Sequence, residues 1–236
     1  MDNLYLGIET SSTNCSVGIF KNDELVDSFE VNEGYSHGEV MASMVAGLLK
    51  KQNLSIKDIK AIGIGKGPGS YTGLRIGVAF AKGLAFSNDI KLIAIDSLRN
   101  MALQVVQDRS LSVTKEDLLI SLVDARRDEV YLQMFNSLGE SINQTKALVI
   151  DNNSFQDIGN YNRVYSFGSG SDKLALLNDF ASSFIHVINI FPSVFGMGSV
   201  LHSKYVSRMF ENLAYFEPFY LKEFIAGKPK KNHLIP

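Results

Sequence analysis

The chain is poor in the residues that build cross-links and membrane spans. Its 236 residues include one cysteine, Cys15, and no tryptophan, so an internal disulfide is excluded and a reducing compartment is expected. No apolar run approaches the length of about 20 residues that a membrane-spanning helix needs. Residues 1–4 show neither a basic region nor the start of a long apolar stretch, so no signal peptide is expected. These absences predict a cytoplasmic protein.

An excess of charge of one sign is lacking as well. Lys and Arg number 23 against 25 Asp and Glu, a net charge of −2, and the pI is near 6.1. A stand-alone nucleic-acid-binding domain would carry a basic excess, so that class is disfavoured. The content of 45% hydrophobic and 20% charged residues is typical of a globular protein. The length suits one large domain or two small ones.

Candidates for metal binding and nucleophilic catalysis are few. The four histidines are His37, His186, His202 and His233, and none has a second His, Cys or Glu at ligand spacing. No metal site is predicted. The Gly-x-Ser-x-Gly elbow of hydrolases is absent, and Cys15 in a strand is interpreted as a buried thiol. No catalytic residue is therefore assigned.

Three carboxylates end predicted strands: Glu9, Asp96 and Asp124. Ligands of α/β proteins bind beyond the carboxyl ends of strands, so these side chains could face one cleft. A nucleotide–metal site would also need glycine turns for the phosphates, and the turns after Glu9 and Asp124 contain none. Arg126 and Arg127 would fill the second turn with positive charge. Catalysis by this chain alone is poorly supported.

Hydrophobic patterning predicts an α/β protein with mixed sheets in two halves, 1–108 and 109–236. The first half is predicted to run β-β-β-α-β-α-β-α, and the second opens with a hairpin in the same way. The two halves thus share an order of elements but no visible sequence repeat, so any duplication is one of architecture. The tail with Lys222, Lys228, Lys230 and Lys231 is interpreted as a solvated end, with a nucleic-acid arm as the alternative. The predicted helices are 37–51, 72–86, 97–107, 154–158, 173–180 and 193–210, and the predicted strands are 4–9, 15–20, 24–31, 61–65, 92–95, 118–124, 129–136, 146–150, 163–167 and 185–190.

Residues 65–77 hold five glycines and one proline between a predicted strand and a predicted helix. Lys66 precedes the turn instead of following its last glycine, so the P-loop pattern is not matched, and Thr72 stands at the third glycine of the dinucleotide pattern. Two interpretations stay open. An anion could bind at the helix start, where Ser70 and Thr72 lie. A structural strand-to-helix turn is favoured.

Two predicted helices carry little charge. Helix 37–49 has Glu39 as its charged residue, and helix 72–86 has Arg75 and Lys82. Small residues recur on one side of each helix, which indicates the close approach of partner helices; burial of both sides within the chain itself is the alternative. The predicted interface residues are Ala42, Ser43, Ala46 and Gly47 on the first helix and Gly73, Gly77, Ala81 and Ala85 on the second, with Ile76, Phe80 and Leu84 expected to face the sheet.

The motifs together resemble the TsaB (YeaZ) family, over nearly the whole length. The resemblance rests on residues 8–17, on the histidine that opens the first helix, on the glycine run, on residues 124–131 and on residues 217–221. The positions that match the family motifs are Glu9, Thr10, Ser11, His37, Gly67, Pro68, Gly69, Ser70, Thr72, Gly73, Arg75, Asp124, Arg126 and Glu129.

The resemblance implies an ASKHA (actin-like ATPase) fold with two ribonuclease-H-like lobes. It also implies a role in making N6-threonylcarbamoyladenosine in tRNAs that read codons beginning with A. The implied role is that of a non-catalytic subunit that pairs with the transferase TsaD through its first two helices. The ATPase TsaE joins the pair, and tRNA is met only through the complex. A homodimer through the same helices is the expected alternative state of the chain alone.

Two positions depart from the related patterns. TsaD holds a metal with His-x-x-x-His, whereas this chain has Met41 four residues after His37, so no metal or nucleotide cofactor is expected in this subunit. Asp128 stands where family members commonly have glycine, so the turn is expected to place Asp128 in the left-handed region of the backbone. The rival hypothesis is a stand-alone enzyme of the ASKHA type, either an ATP-dependent kinase or a metalloprotease-like hydrolase.

Overall fold

The computed structural model describes residues 2–32, 37–151, 154–155, 158–176 and 184–222. Within these ranges the strands and helices alternate as an α/β protein, which confirms the predicted fold class. The strands are β1 (Leu4–Glu9), β2 (Cys15–Lys21), β3 (Glu24–Val31), β4 (Ile59–Gly67), β5 (Lys91–Asp96), β6 (Leu118–Asp124), β7 (Glu129–Phe135), β8 (Lys146–Val149), β9 (Val164–Phe167) and β10 (Phe184–Val187), and the helices are α1 (His37–Lys51), α2 (Tyr71–Asn88), α3 (Ser97–Gln107) and α4 (Gly198–Val206).

The two five-stranded sheets have the same topology. The first has the order β3-β2-β1-β4-β5 and the second has the order β10-β9-β6-β7-β8. In each, the first strand of the half is antiparallel to the second strand and parallel to the fourth. The predicted architectural duplication is therefore confirmed, as two ribonuclease-H-like sheets.

The two sheets exchange helices. The first sheet is covered on one face by α1 and α2 and on the other by α4, which comes from the second half of the chain. Conversely, α3 follows β5 in the first half but packs on β6, β7 and β9 of the second sheet. A division at residue 108 places each sheet in its own half of the chain. Helices α3 and α4, however, each pack on the sheet of the other half.

A row of glycines explains why α4 packs on the first sheet. Gly18, Gly7 and Gly63 lie side by side on β2, β1 and β4. A Cβ at Gly7 or Gly18 would come within 3.3 Å of Val194, and one at Gly63 within 2.9 Å of Leu201. The missing side chains leave a groove that the residues before and within α4 occupy.

Several predicted elements of the second half are shorter than expected. The predicted helix 193–210 is a 3-10 turn at Val194–Gly196 followed by α4, with left-handed backbone at Arg208 soon after its end. A 3-10 turn at Ser171–Leu176 replaces the start of predicted helix 173–180, whose remainder lies outside the described residues. Predicted helix 154–158 retains a turn at 154–155 and a 3-10 turn at Ile158–Asn160. Lys228, Lys230, Lys231 and His233 also lie outside the described residues.

No helix among the described residues has both the length and the hydropathy of a membrane-spanning segment.

Candidate functional site

The glycine run packs against the turn that joins β1 to β2. An ideal Cβ at Gly69 would lie 2.1 Å from the Ser11 carbonyl oxygen, and one at Gly73 would lie 2.1 Å from the Thr10 carbonyl oxygen. At Gly77 it would lie 2.1 Å from Thr10 Oγ1. Gly69, Gly73 and Gly77, here called the glycine socket, therefore admit the backbone of the turn, because no real Cβ approaches another atom so closely.

Hydrogen bonds fix the turn in the glycine socket. The Ser70 amide donates to the Ser11 carbonyl at 2.6 Å, and Thr10 Oγ1 donates to the Gly73 carbonyl at 2.9 Å. Ser70 also caps α2, since its Oγ accepts from the Gly73 amide at 3.2 Å. The Ser70 amide is thus used by the chain itself, which favours the structural interpretation of the glycine run over an anion site.

The prediction that Gly73, Gly77, Ala81 and Ala85 form an outer face is wrong. These residues are buried against β1 and the sheet, because the chain that approaches them is its own β1–β2 turn and not a partner helix. Ile76, Phe80 and Leu84, which are predicted to face the sheet, pack against the same core but are only half-buried.

Glu9 lies at the centre of this arrangement and is fully buried. Its Oε1 accepts from the amides of Thr10 and Ser11, both at 2.9 Å, and Ser97 Oγ donates to its Oε2 at 3.2 Å. A Cβ at Gly65 would lie 2.2 Å from the carboxyl group, so glycine is needed to make room for it. Burial raises the pKa of Glu9 above its usual value, and the three hydrogen bonds oppose that rise.

His37 ties the start of α1 to the same turn. The ring is buried, and its Nε2 lies 2.8 Å from the Ser12 carbonyl, to which it must donate since a carbonyl only accepts. Met41, one helical turn later, is part of the hydrophobic core. The pair does not fit the metal of a His-x-x-x-His helix, because one nitrogen is engaged by the chain and the second ligand position is apolar.

The three carboxylates are not brought together as free ligands. Asp96 caps α3, accepting from the amides of Leu98 and Arg99, and its burial raises its pKa against the effect of those bonds. Asp124 is exposed and pairs with Lys173 at 2.7 Å. Among the described residues, no group of three or more His, Cys, Asp or Glu could hold a metal ion.

The β6–β7 turn has a conformation that the sequence did not indicate. The left-handed residues are Arg126 (φ 71°) and Arg127 (φ 51°), not Asp128. The Arg126 amide donates to Asp124 Oδ1 at 2.6 Å, and Lys173 Nζ donates to the Glu129 carbonyl at 2.8 Å. The first bond lies within the turn, and the second ties it to the 3-10 turn at Ser171–Leu176.

Residues 216–222, here called the C-terminal strap, cross from α2 to the second sheet. The Phe219 amide donates to the Lys66 carbonyl at 2.8 Å, and Arg75 Nε donates to the Tyr220 hydroxyl at 3.3 Å. Lys222 at the far end pairs with the Glu129 carboxylate on β7. Residues 217–221 belong to the motifs of the family resemblance, which give them no role, and in the structure they link the two sheets next to the glycine run.

An exposed stripe of small and apolar side chains runs along α1 and α2, which pack side by side on the first sheet. Phe86 is 82% exposed, and a Cβ at Gly83 would meet no atom within 4 Å. Gly47 is half-buried, with its ideal Cβ 3.2 Å from the Phe29 ring. This surface, here called the α1–α2 face, comprises the exposed residues Ala42, Ser43, Ala46, Thr72, Ala79, Gly83 and Phe86, with the half-buried Ile76 and Phe80 beside them.

These features define a class. The chain is an actin-like α/β protein whose glycine socket is filled by its own β1–β2 turn and whose first two helices present a weakly charged face of small and apolar side chains. A sequence model of the family described as TsaD, tRNA N6-adenosine threonylcarbamoyltransferase, matches residues 34–222. The chain therefore belongs to the TsaD family.

Within that family several relatives are of the TsaB type, which confirms the resemblance seen in the motifs. The tRNA threonylcarbamoyladenosine biosynthesis protein TsaB of Haemophilus influenzae is 32% identical over 132 residues, 56% of this chain and 53% of that protein. TsaB of Escherichia coli is 33% identical over 126 residues, 53% of this chain and 52% of that protein. The matches span about half the length of these curated relatives.

The fold is shared with a solved structure. YeaZ from Pseudomonas aeruginosa superposes with a TM-score of 0.79 at 20% identity, covering 93% of this chain and all of that one. A second structure, described as an uncharacterized protein with similarity to peptidase YeaZ from the same organism, gives 0.76 at 21% identity, with the same coverage of both chains. These likenesses confirm the actin-like fold.

Proposed function

We propose that this chain is a non-catalytic subunit in the synthesis of threonylcarbamoyladenosine in tRNA. On this proposal it pairs with a TsaD-type transferase through the α1–α2 face, and the ATPase TsaE acts on the pair. The role of the TsaB relatives in threonylcarbamoyladenosine biosynthesis supports the pathway. A metal and ATP would be held by the partner subunits, and tRNA would be met through the complex.

The observation that carries the proposal is the character of the α1–α2 face. A lone surface helix presents Lys and Glu to solvent, yet α2 exposes Ala79, Gly83 and Phe86 in one stripe. Its two basic residues are used elsewhere: Arg75 stacks over Tyr71 at 4.2 Å, and Lys82 donates to the Phe216 carbonyl. An apolar face of this kind is typical of a surface that another helix pair covers.

The non-catalytic part of the proposal is supported by the carboxylates at the carboxyl ends of β1 and β6, which are already engaged by the chain itself. Glu9 is sealed by the Thr10 and Ser11 amides and by Ser97, and Asp124 is paired with Lys173. A phosphate–metal group would need both places to be open.

The decisive experiment adds a side chain where the chain itself has room. Gly83→Arg places a charge on the α1–α2 face without a clash, since a Cβ there meets nothing within 4 Å. Gly159→Arg is the matched control, because a Cβ at Gly159 also meets no atom of the described residues within 4 Å. Binding to purified TsaD is measured by calorimetry and by native mass spectrometry. The Kd of Gly83→Arg is expected to rise at least about 30-fold, because burial of an unpaired charge costs about 2 kcal/mol or more. Gly159→Arg is expected to pair normally.

Three further measurements test the proposal and its rivals. Normal pairing of Gly83→Arg would refute the assigned face, and saturable binding of ATP–Mg²⁺ by the isolated chain would favour the enzyme. The mass of the chain with and without TsaD separates a heterodimer from a homodimer. Loss of modified adenosine in tRNA after deletion of the gene tests the pathway itself.

A further inference from the structure

A cavity of about 430 Å³ lies between α2 and the C-terminal strap. Helix α2 supplies Arg75, Val78, Ala79 and Lys82 to its lining, and the strap supplies the opposite wall, including Glu217. This cavity is here called the strap pocket. It has an apolar floor on the helix and a charged side chain at each end of that floor.

The strap pocket adjoins the α1–α2 face. Ala79 is exposed and belongs to both surfaces. Arg75 precedes Ala79 by four residues and Lys82 follows it by three, so both lie on the same side of Ala79, about 10 Å apart along the helix axis. A partner helix that covers the α1–α2 face would therefore have the strap pocket at its edge.

The strap pocket carries more positive than negative charge. Arg75 and Lys82 are its cations, and Glu217 is its one carboxylate. Arg75 Nε donates to the Tyr220 hydroxyl at 3.3 Å, and Lys82 Nζ donates to the Phe216 carbonyl at 2.9 Å. These neutral partners orient the two side chains without neutralising them. Among the described residues, no carboxylate oxygen lies within 4.0 Å of the side-chain nitrogens of either cation.

Both cations can be reached by a group from outside the chain. Arg75 is exposed and Lys82 is half-buried, and each has N–H donors beyond the one already used. An apolar group in the strap pocket would desolvate the two charges without compensating them, and a basic group would be repelled. A carboxylate accepts these donors and balances the charge, so it is the group that fits best.

We propose that the strap pocket receives a carboxylate side chain of the TsaD-type partner. The carboxylate accepts a hydrogen bond from Lys82 Nζ, and Arg75 attracts it from the other end of the strap pocket. This inference rests on the proposed function, because it needs the partner helix that covers the α1–α2 face. It adds a charged contact beside an apolar surface, and such a contact fixes the orientation of two subunits more than it raises their affinity.

A zero-length cross-link identifies the occupant of the strap pocket. The complex of the full chain with purified TsaD is treated with a carbodiimide, which joins an amine to a carboxylate in contact with it, and the linked peptides are sequenced by mass spectrometry. Lys82 is expected to be linked to an Asp or Glu of TsaD. The matched control is Lys146, an exposed lysine on β8 at the edge of the second sheet, which is expected to form no such link.

Three results of the cross-linking would overturn the proposal. They are a complex that forms without any link at Lys82, equal linking of Lys82 and Lys146 to TsaD, and a link from Lys82 to a second copy of this chain in place of TsaD.

Charge variants give an independent measurement. Lys82→Gln is expected to raise the Kd for TsaD about fivefold at about 0.05 M salt, the worth of one partly solvated ion pair. At about 1 M salt, where the Debye length falls to about 3 Å, the rise is expected to be less than about twofold. Lys82→Arg keeps the charge and Lys146→Gln removes a remote one, and both are expected to bind normally. An equal rise at both salt concentrations would show that Lys82 only holds the strap, and would overturn the proposal.

The results also distinguish this inference from the proposed function. If Gly83→Arg fails to pair while Lys82→Gln pairs normally at every salt concentration, the function stands and the charged contact is refuted. If the unaltered chain does not pair with TsaD, both are refuted.

Discussion

The sharpest test of the glycine socket is a pair of substitutions on α2, Gly77→Ala and Gly83→Ala. Both glycines lie inside the helix, where alanine is favoured by about 1 kcal/mol. At Gly83 nothing lies within 4 Å of the new methyl group, so the variant is expected to be more stable by about 0.5–1 kcal/mol. At Gly77 the methyl group would lie 2.1 Å from Thr10 Oγ1 and 3.2 Å from Thr10 Cβ and Cγ2.

The cost at Gly77 has two parts. Overpacking a buried site costs about 1–3 kcal/mol. Turning Thr10 away breaks its bond to the Gly73 carbonyl and leaves a buried hydroxyl unpaired, which costs about 1–3 kcal/mol more. After the helix gain, a net loss of about 2–3 kcal/mol is expected, or about 5–10 °C in Tm for a chain of this size.

The assay is urea unfolding followed by circular dichroism, since the chain has no tryptophan. Thr10→Ala removes the colliding hydroxyl and methyl, so combining it with Gly77→Ala is expected to cost less than the sum of the two single changes. If Gly77→Ala were as stable as Gly83→Ala, or if the two changes simply added, the socket would not be what holds the turn.

Three other outcomes follow from charges and contacts. Burial raises the pKa of Glu9 above its usual 4.5. The contribution of Glu9 to the free energy of unfolding is therefore full below pH 4.5 and is lost as the pH rises through the folded-state pKa. Glu9→Gln is expected to flatten this decline, measured by unfolding curves from pH 4.5 to 8. Burial alone would raise the pKa of Asp117, but the bonds from Arg163 and Thr114 lower it below 3.8, so stability from this group is present above pH 3.8 and lost on acidification. Asp117→Asn is expected to cost about 2 kcal/mol at pH 7 and less at pH 3, measured in the same way. Tyr220→Ala removes the ring contact with Tyr71 and is expected to speed hydrogen exchange at the Phe219 amide at least about fivefold, whereas an unchanged rate would mean that the strap is held elsewhere.

Patterns that depend on neighbours in sequence predicted the fold well. Helix α3 begins at Ser97 and ends at Gln107 as predicted, because Asp96 supplies the cap that its apolar period requires. The hairpins that open both halves and the crossover helices α1 and α2 of the first half are also visible in the sequence patterns.

Contacts between distant residues were not predictable in the same way. The period-four stripe on α2 indicated that something approaches closely, but no local signal distinguishes a partner helix from the chain's own β1–β2 turn at Thr10. The left-handed pair Arg126 and Arg127 is held by the bond of the Arg126 amide to Asp124 and not by residue preference. The cavity between Asn14 and Phe195 joins segments 181 residues apart in the sequence, so only the folded chain reveals it.

The helix exchange has a consequence for any attempt to divide the molecule. A fragment that ends at residue 108 would leave Tyr5, Phe20 and Ile93 without the cover that Val194, Met197 and Leu201 provide. The complementary fragment would lose Leu98, Met101 and Val105 from the face of its own sheet. Neither piece can complete an apolar interior by itself, so separately expressed fragments should be insoluble alone and should restore a native particle when refolded together.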